Sequence, residues 1–519
     1  MRGRRRSNAL YYGLSCSGSQ GHSFRNGAVN YSLMLIGVMK CDMAALNERS
    51  ELVSSRKTKQ KMSFKKRLYF KNRSVGAVVS KKHRPPLTSQ GWLLFSMVAI
   101  AAGSLSGGSA EQKINAWPPK TFPVTAWCSP PDAFITTEQY RRMSDAGFTV
   151  VMPPCEGTAS PERNHKILAT ALATGLKAII ADPRMPLALT GNPSGKSALD
   201  AIVRDYHRSP ALLGYFLTDE PGANQFDGLA EVVAYLKKID PEHMVYINLL
   251  PNYATTNQQI KKSQLGTDTY DQYLEAYIRI VKPDVVSYDH YHFLKDADRV
   301  GFLGNLNSVQ HAANQNPPLA NIPFWQIVLS VEHGPYRALS ENELRYEAMQ
   351  TLAYGGKGLS YFTYWIPNDA SFEWNNAMMT KDGMQGALYD AAKKVNKDVR
   401  TLAKYLYSAH TIGTYQTGKI PVDGIPLGNE SVVRIENRAD LTVGIFRDPY
   451  GFVYLLFTNR DYKKPVLVQA ILHVKEHPVE RLNMNDGKFL PVKNPSDAEG
   501  EMKLDIELEP AGAALVRWQ

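Results

Sequence analysis

The sequence predicts an α/β chain whose central part is a (β/α)₈ TIM barrel and whose C-terminal part is an antiparallel β-sandwich. Eight short apolar runs between residues 122 and 365 are each followed by a helix-like stretch, the alternation that builds a parallel barrel. The helical stretches carry their own start and stop signals, with Ser340 and Glu343 spaced as a capping box and Gly147, Gly175 and Gly355-Gly356 at helix ends. From about Ala409 the chain changes to short apolar segments separated by Asn, Asp, Gly and Pro, the texture of a sandwich.

Residues 1–110 read as a leader. Of the 60 Lys and Arg residues 19 lie there, with only 3 of the 49 Asp and Glu; residues 111–519 therefore carry 41 basic and 46 acidic side chains, a net −5. The overall +11 belongs to the leader, and the slightly acidic remainder gives no footprint for a phosphate backbone, so no nucleic-acid partner is expected. Lys81-Lys82-His83-Arg84, an apolar run over 91–102 and small residues up to Ala110 form the pattern of a secretory signal cleaved after Ala110. The apolar run is too short for an ordinary membrane span. Export without stable membrane insertion is the expectation; an uncleaved N-terminal anchor is the alternative. Met62, just ahead of Phe64-Lys65-Lys66-Arg67, is a second possible start.

The barrel is expected over 111–408, with strands at Phe122–Trp127, Phe148–Met152, Leu176–Ala181, Leu213–Thr218, Met244–Leu249, Asp284–Tyr288, Ile322–Leu329 and Leu359–Tyr364. Most are apolar without strict alternation, as strands buried on both faces should be. Helices are expected at Thr137–Asp145, Glu162–Thr174, Ala198–His207, Phe226–Ile239, Tyr270–Val281, Leu303–Ala313, Glu341–Tyr354 and Met384–Tyr405. Cys128 and Cys155 fall near the ends of the first two strands, where they form either a disulfide or two buried thiols. Sandwich strands, in 409–519, are expected within 431–435, 441–446, 452–457, 465–474 and 513–518.

Barrel chemistry sits on the loops at the C-terminal strand ends, and the fourth strand ends in Thr218-Asp219-Glu220-Pro221. Strand alternation puts Phe216, Thr218 and Glu220 on one side and Tyr215, Leu217 and Asp219 on the other. One carboxylate of the pair is thus expected to face the mouth and the other to orient loops. Asp289 after the sixth strand and Glu156 after the second are further acids at the same rim and the alternative candidates for a second catalytic carboxylate.

An acid followed by Glu-Pro at strand four, Glu332-x-Gly334 after strand seven and Tyr364-Trp365 at strand eight resemble clan A glycoside hydrolases, including family 42-type β-galactosidases. Pro323-Phe324-Trp325, Glu343-Leu344-Arg345 and the run from Gly355 to Phe362 are similar to a group of exported clan A-like proteins. The resemblance covers roughly residues 120–405. It implies an O-glycosyl hydrolase acting on a poly- or oligosaccharide by a retaining mechanism, with Glu220 as general acid/base and Glu332 as nucleophile. Asp219 stands where that clan usually carries Asn. Retention needs two carboxyls about 5–5.5 Å apart, and inversion about 6.5–9.5 Å.

Flat aromatic faces beside polar groups suit a sugar ring. Trp127, Tyr288, Tyr291, Tyr364, Trp365 and Trp374, with His290 and His292, are the residues near strand ends that offer them; Asp219, Asp289 and Arg184 are further candidate contacts. Two other readings compete. One is a glycan-binding barrel without catalysis, and the other is a metal-dependent hydrolase built on Asp289-His290-Tyr291-His292 with Glu332 or His333. No metal or cofactor is expected, and no Gly-x-Ser-x-Gly elbow, phosphate loop or Cys-x-x-Cys occurs.

Overall fold

The structure is a computed structural model and describes residues 117–519 apart from 316–321, 429–431, 475–477 and 494–499. The leader expected over 1–110 lies outside the described residues. Among the described residues no helix is long and apolar enough to cross a membrane.

Eight parallel strands close in sequence order into a barrel. They are β1 (Val124–Ala126), β2 (Val150–Val151), β3 (Lys177–Ala181), β4 (Leu212–Asp219), β5 (Met244–Leu249), β6 (Val286–Asp289), β7 (Phe324–Leu329) and β8 (Gly358–Phe362). The helices are α1 (Thr137–Asp145), α2 (Pro161–Ala173), α3 (Gly195–Tyr206), α4 (Phe226–Ile239), α5 (Tyr270–Val281), α6 (Phe302–Gln315), α7 (Glu341–Ala353) and α8 (Tyr389–Leu406). Each predicted element has its counterpart. Thr136, Ser160 and Thr269 cap their helices through side-chain oxygens, and Ser340 with Glu343 forms the capping box read from the sequence.

The barrel is filled, not hollow. Trp127 of the β1 end packs edge-on to Phe216 of β4 with 5.6 Å between centroids, Phe216 lies 6.2 Å from Tyr246 of β5, and Tyr246 lies 6.0 Å from Trp325 of β7. Strands 1 and 4, and 5 and 7, are not neighbours, so these rings meet through the interior. Glycine makes room for one of them: a Cβ on Gly358 would stand 2.5 Å from the Trp325 indole.

Strand β4 departs from simple alternation. Phe216 pairs with Tyr246 and Asp219 with Asn248, with a register shift between Phe216 and Thr218. Two residues on β5 thus match three on β4. The extra residue of this bulge reverses the faces beyond it, so Asp219 shares the interior side with Phe216, contrary to the alternation expected from the sequence.

The C-terminal strands form a six-stranded sheet in the order β15-β14-β17-β12-β11-β9 and a three-stranded sheet β10-β13-β16. Their ranges are β9 (His410–Gln416), β10 (Val433–Ile435), β11 (Leu441–Arg447), β12 (Val453–Asn459), β13 (Val466–His473), β14 (Glu480–Asn483), β15 (Lys488–Pro491), β16 (Glu501–Leu508) and β17 (Ala513–Trp518). Strands β9, β14, β15 and β16 were not anticipated. For β16 the signal is present, since Met502, Leu504, Ile506 and Leu508 are buried in alternation with charged residues, and all four join the core between the sheets. The other face of β11 and β12 rests on α7. There Gln350 donates to the Thr458 hydroxyl (3.1 Å), and the Thr414 hydroxyl donates to the Ala353 carbonyl (3.0 Å).

Cys128 and Cys155 are joined as a disulfide, the first of the two states the sequence left open. It ties the end of β1 to the loop after β2. Closing a 27-residue separation restricts the unfolded chain by roughly 3.5 kcal/mol on the chain-entropy account. Replacing both cysteines by serine is therefore expected to lower stability by about that amount, read from urea unfolding as a lower midpoint and a steeper slope, since the unfolded chain is freed to expand.

Candidate functional site

Above the aromatic filling the interior turns polar at one level. Asn248, near the end of β5, donates one amide hydrogen to Asp219 Oδ1 (3.0 Å) and the other to Asp289 Oδ1 (2.9 Å). Its own oxygen accepts from the Ser287 hydroxyl (3.2 Å), which lies 2.7 Å from the Tyr246 hydroxyl. One amide thus holds two carboxyls from β4 and β6. Sequence reading missed Asn248; the available signal was a single amide inside the apolar run Met244–Leu249.

Glu220 joins this group through its backbone. Its φ is +45°, a left-handed conformation that side chains larger than glycine rarely take, and its N–H donates to the Asn248 carbonyl (2.8 Å). The chain leaves the strand there and is held by Tyr273 of α5, whose hydroxyl donates to the Pro221 carbonyl (2.7 Å). The turn lets Asp219 and Glu220 both reach the mouth, where the sequence reading allowed one. Glu220 and Asp289 share a side-chain hydrogen bond, which lowers the pKa of Asp289.

Burial and mutual repulsion set the protonation of this cluster. Desolvation, followed by the charge of Asp219, pushes Asp289 up to about 7 against the opposing hydrogen bonds from Asn248 and Glu220. Desolvation pushes Asp219 up to about 6, again opposed by the Asn248 amide. Tyr291, buried beside all three carboxyls, stacks on Phe362 at 5.4 Å.

Glu332 lies in the loop after β7, half-buried. Its backbone pairs with Asn375 in both directions (2.9 and 3.0 Å), and Asn376 Nδ2 donates to Glu332 Oε2 (2.6 Å). The next residue, His333, stacks on Trp374 at 4.6 Å and packs on Phe362 at 5.7 Å. The loops carrying Glu332 and Glu220 therefore share an aromatic floor through Phe362 and Tyr291. Glu156 is half-buried, with burial raising its pKa.

The other predicted contacts divide by direction. Trp127 belongs to the filling just below the cluster. Tyr288 is fully buried near Tyr270 and Tyr354, and Tyr364 packs edge-on to Phe148 near Tyr389 and Arg142, so both face the helical layer and not the mouth. Trp365 is buried against Phe134 at 4.7 Å. Arg184 is clasped by Asp182 and Asp205, each at 2.8 Å, and Tyr206 also donates to Asp182 (2.6 Å).

His290 and His292 face one side, as strand geometry suggests, but that side is the helical layer. His290 Nδ1 donates to Asn305 Oδ1 (3.0 Å), His292 Nδ1 donates to the Arg299 carbonyl (3.0 Å), and both rings pack on Phe302. Desolvation lowers the pKa of both, to about 4 for His292, so both are neutral near pH 7. Among the described residues no three His, Cys, Asp or Glu side chains converge as a metal ion requires. The histidine cluster read from the sequence is core packing in the structure.

A closed parallel barrel with its carboxyls at the C-terminal strand ends and a sandwich packed on its flank is the class this geometry defines. Comparison with solved structures agrees on the fold. A β-galactosidase from Bacillus circulans sp. alkalophilus superposes with a TM-score of 0.52 at 9% identity, over 77% of this chain and 99% of that one. A family 42 β-galactosidase superposes with a TM-score of 0.50 at 10% identity, over 76% and 98%. The barrel fold implied by the clan A resemblance is thus the fold found. No family model and no curated protein matches the sequence.

The raised carboxyls have a measurable effect on stability. Both rise from 3.8 in the unfolded chain, so the stabilisation they contribute is complete below about pH 4 and is lost as pH rises through 6 to 7. Asp289→Asn removes the share of this dependence that Asp289 contributes. Its melting temperature relative to the parent is expected to rise between pH 4 and pH 8; a constant difference would show that Asp289 titrates as an ordinary carboxylate.

Proposed function

We propose that this protein is an exported glycoside hydrolase that cleaves O-glycosidic bonds, with Glu220 as its general acid/base. The observation that carries the reading is the Asn248-centred cluster, in which the buried carboxyls of Asp219 and Asp289, both with raised pKa values, stand beside Glu220 at the barrel mouth. A glycosidic oxygen leaves readily only when protonated, and an acid kept protonated near neutrality by buried neighbours is the usual device for this. The left-handed backbone at Glu220 is a cost of the kind that proteins keep at functional positions. Asp289 is hydrogen-bonded to the Asn248 amide (2.9 Å) and to Glu220, and we assign it to holding these groups in place. In this assignment Asp289 is a positioning residue and not the second catalytic carboxylate.

Glu332 is the proposed nucleophile. It follows β7 in the Glu-x-Gly context of the clan A resemblance, its Oε2 is oriented by Asn376, and its loop rests on the same aromatic floor as the cluster. A retaining displacement follows: Glu332 attacks the anomeric carbon while Glu220 protonates the leaving oxygen, and Glu220 then takes a proton from the water that releases the sugar. Tyr291 and Trp374 are the aromatic residues nearest this path. The disulfide supports export, since such bonds persist in oxidising compartments.

Release of sugar from a panel of polysaccharides and aryl glycosides tests the reading. Glu220→Gln is expected to lower kcat about 10²- to 10⁴-fold on substrates with poor leaving groups, and Glu332→Gln to abolish turnover while leaving binding intact. A chelator should leave activity unchanged. Full activity of Glu220→Gln would overturn the assignment, and sugar binding by the parent without any release would favour the glycan-binding barrel.

A further inference from the structure

The opposite end of the barrel carries a groove with a different character. It has a volume of about 1070 Å³ and lies between α8, the segment Lys120–Phe122 leading into β1, Gly147 just before β2, and the β14–β15 turn at Asn485–Gly487. It therefore sits at the N-terminal strand ends, away from Glu220.

One stripe of α8 supplies its charge. Lys393, Lys397, Arg400 and Lys404 are exposed and line the groove. At steps of four, three and four residues they fall on one helix face, succeeding one another every ~5–6 Å along roughly 16 Å of axis. Among the described residues none of the four is in an ion pair, whereas neighbouring Lys394 is paired with Glu341 at 2.9 Å. Like charges at this spacing destabilise a helix, and the helix dipole offsets this only near the C-terminal end, at Lys404. On a body whose net charge is −5, a row of four cations outside close ion pairs, in a groove lined by six basic and three acidic residues, points to an anionic partner.

We propose that this groove binds an anionic polysaccharide, a chain bearing carboxylate or sulfate groups at regular intervals. The cation spacing is comparable with the length of a pyranose ring, so successive charges can meet successive sugars. Asp145, Asp390 and Asp486 also line the groove. Their carboxylates accept hydrogen bonds from sugar hydroxyls, whereas the phosphodiester backbone of duplex DNA offers no donors and would be repelled by them. The site holds a chain at the far end of the barrel and takes no part in bond cleavage.

The test is affinity electrophoresis of the full chain through gels containing polygalacturonate, dextran sulfate or neutral dextran, with a duplex DNA oligonucleotide as a separate probe. The comparison is with Lys393→Gln/Lys397→Gln/Arg400→Gln, which keeps the same basic leader, so the leader's own attraction is common to both. The parent is expected to be retarded by a charged polysaccharide and not by dextran, with at least tenfold weaker affinity in the variant and unchanged hydrolysis of small aryl glycosides. Polygalacturonate and dextran sulfate distinguish carboxylate from sulfate recognition. Equal retardation of parent and variant on both would overturn the proposal, as would a loss of DNA binding larger than the loss of polysaccharide binding. The retardation comparison reads binding, so its outcome stands whether or not the catalytic assignment does.

Discussion

The height at which the aromatic filling of the barrel ends determines what the mouth can do. Trp127, Phe216, Tyr246 and Trp325 close the interior from four strands, and the next level of inward side chains is Asp219, Asn248 and Asp289. Rings below exclude water and lower the local dielectric, so carboxyls set directly on them pay a desolvation cost when charged. The raised pKa values of Asp219 and Asp289 follow from that placement. Asn248 is the group that makes the placement tolerable, since both of its N–H groups and its oxygen are used.

The cluster also explains an irregular strand. A regular β4 would turn Asp219 outward among the helices, away from the Asn248 amide. The bulge before Thr218 brings it inward, and the left-handed turn at Glu220 brings the second carboxyl to the same place. Two local departures from ideal geometry thus serve one electrostatic arrangement. The pinning of Pro221 by Tyr273 and the disulfide at the ends of β1 and β2 hold parts of the rim in place around it.

The sandwich is bound to the barrel by more than a linker. Strands β11 and β12 are buried on both faces, one against the three-stranded sheet and the other against α7. Hydrogen bonds cross the second interface, with Gln350 donating to Thr458, Thr414 to Ala353, and Gln416 to the Tyr354 hydroxyl at 2.8 Å. Tyr462 reaches from the sandwich to Asp298 (2.8 Å), which also pairs with Arg337. That pair borders the loops following β6 and β7, so the second domain buttresses the flank of the candidate site.

The sequence by itself determined the order of elements, because periodicity, caps and terminal glycines are local properties that each segment carries alone. It also marked Glu220, since an acidic pair stopped by proline at a strand end is legible without coordinates, and it paired Cys128 with Cys155 as one of two outcomes. It did not determine direction. Whether Tyr288, Tyr364, His290 and His292 point to the mouth or to the helices depends on strand phase, and Asp219 shows how one inserted residue reverses that phase. The fate of Arg184 depended on Asp182 and on Asp205, the latter on a different element and 21 positions away in the chain. Asn248 acquired its role only when β4 and β6 were placed on either side of β5. Contacts between strands far apart in the chain are made by closure of the barrel, and the chemistry at its mouth is a property of that closure.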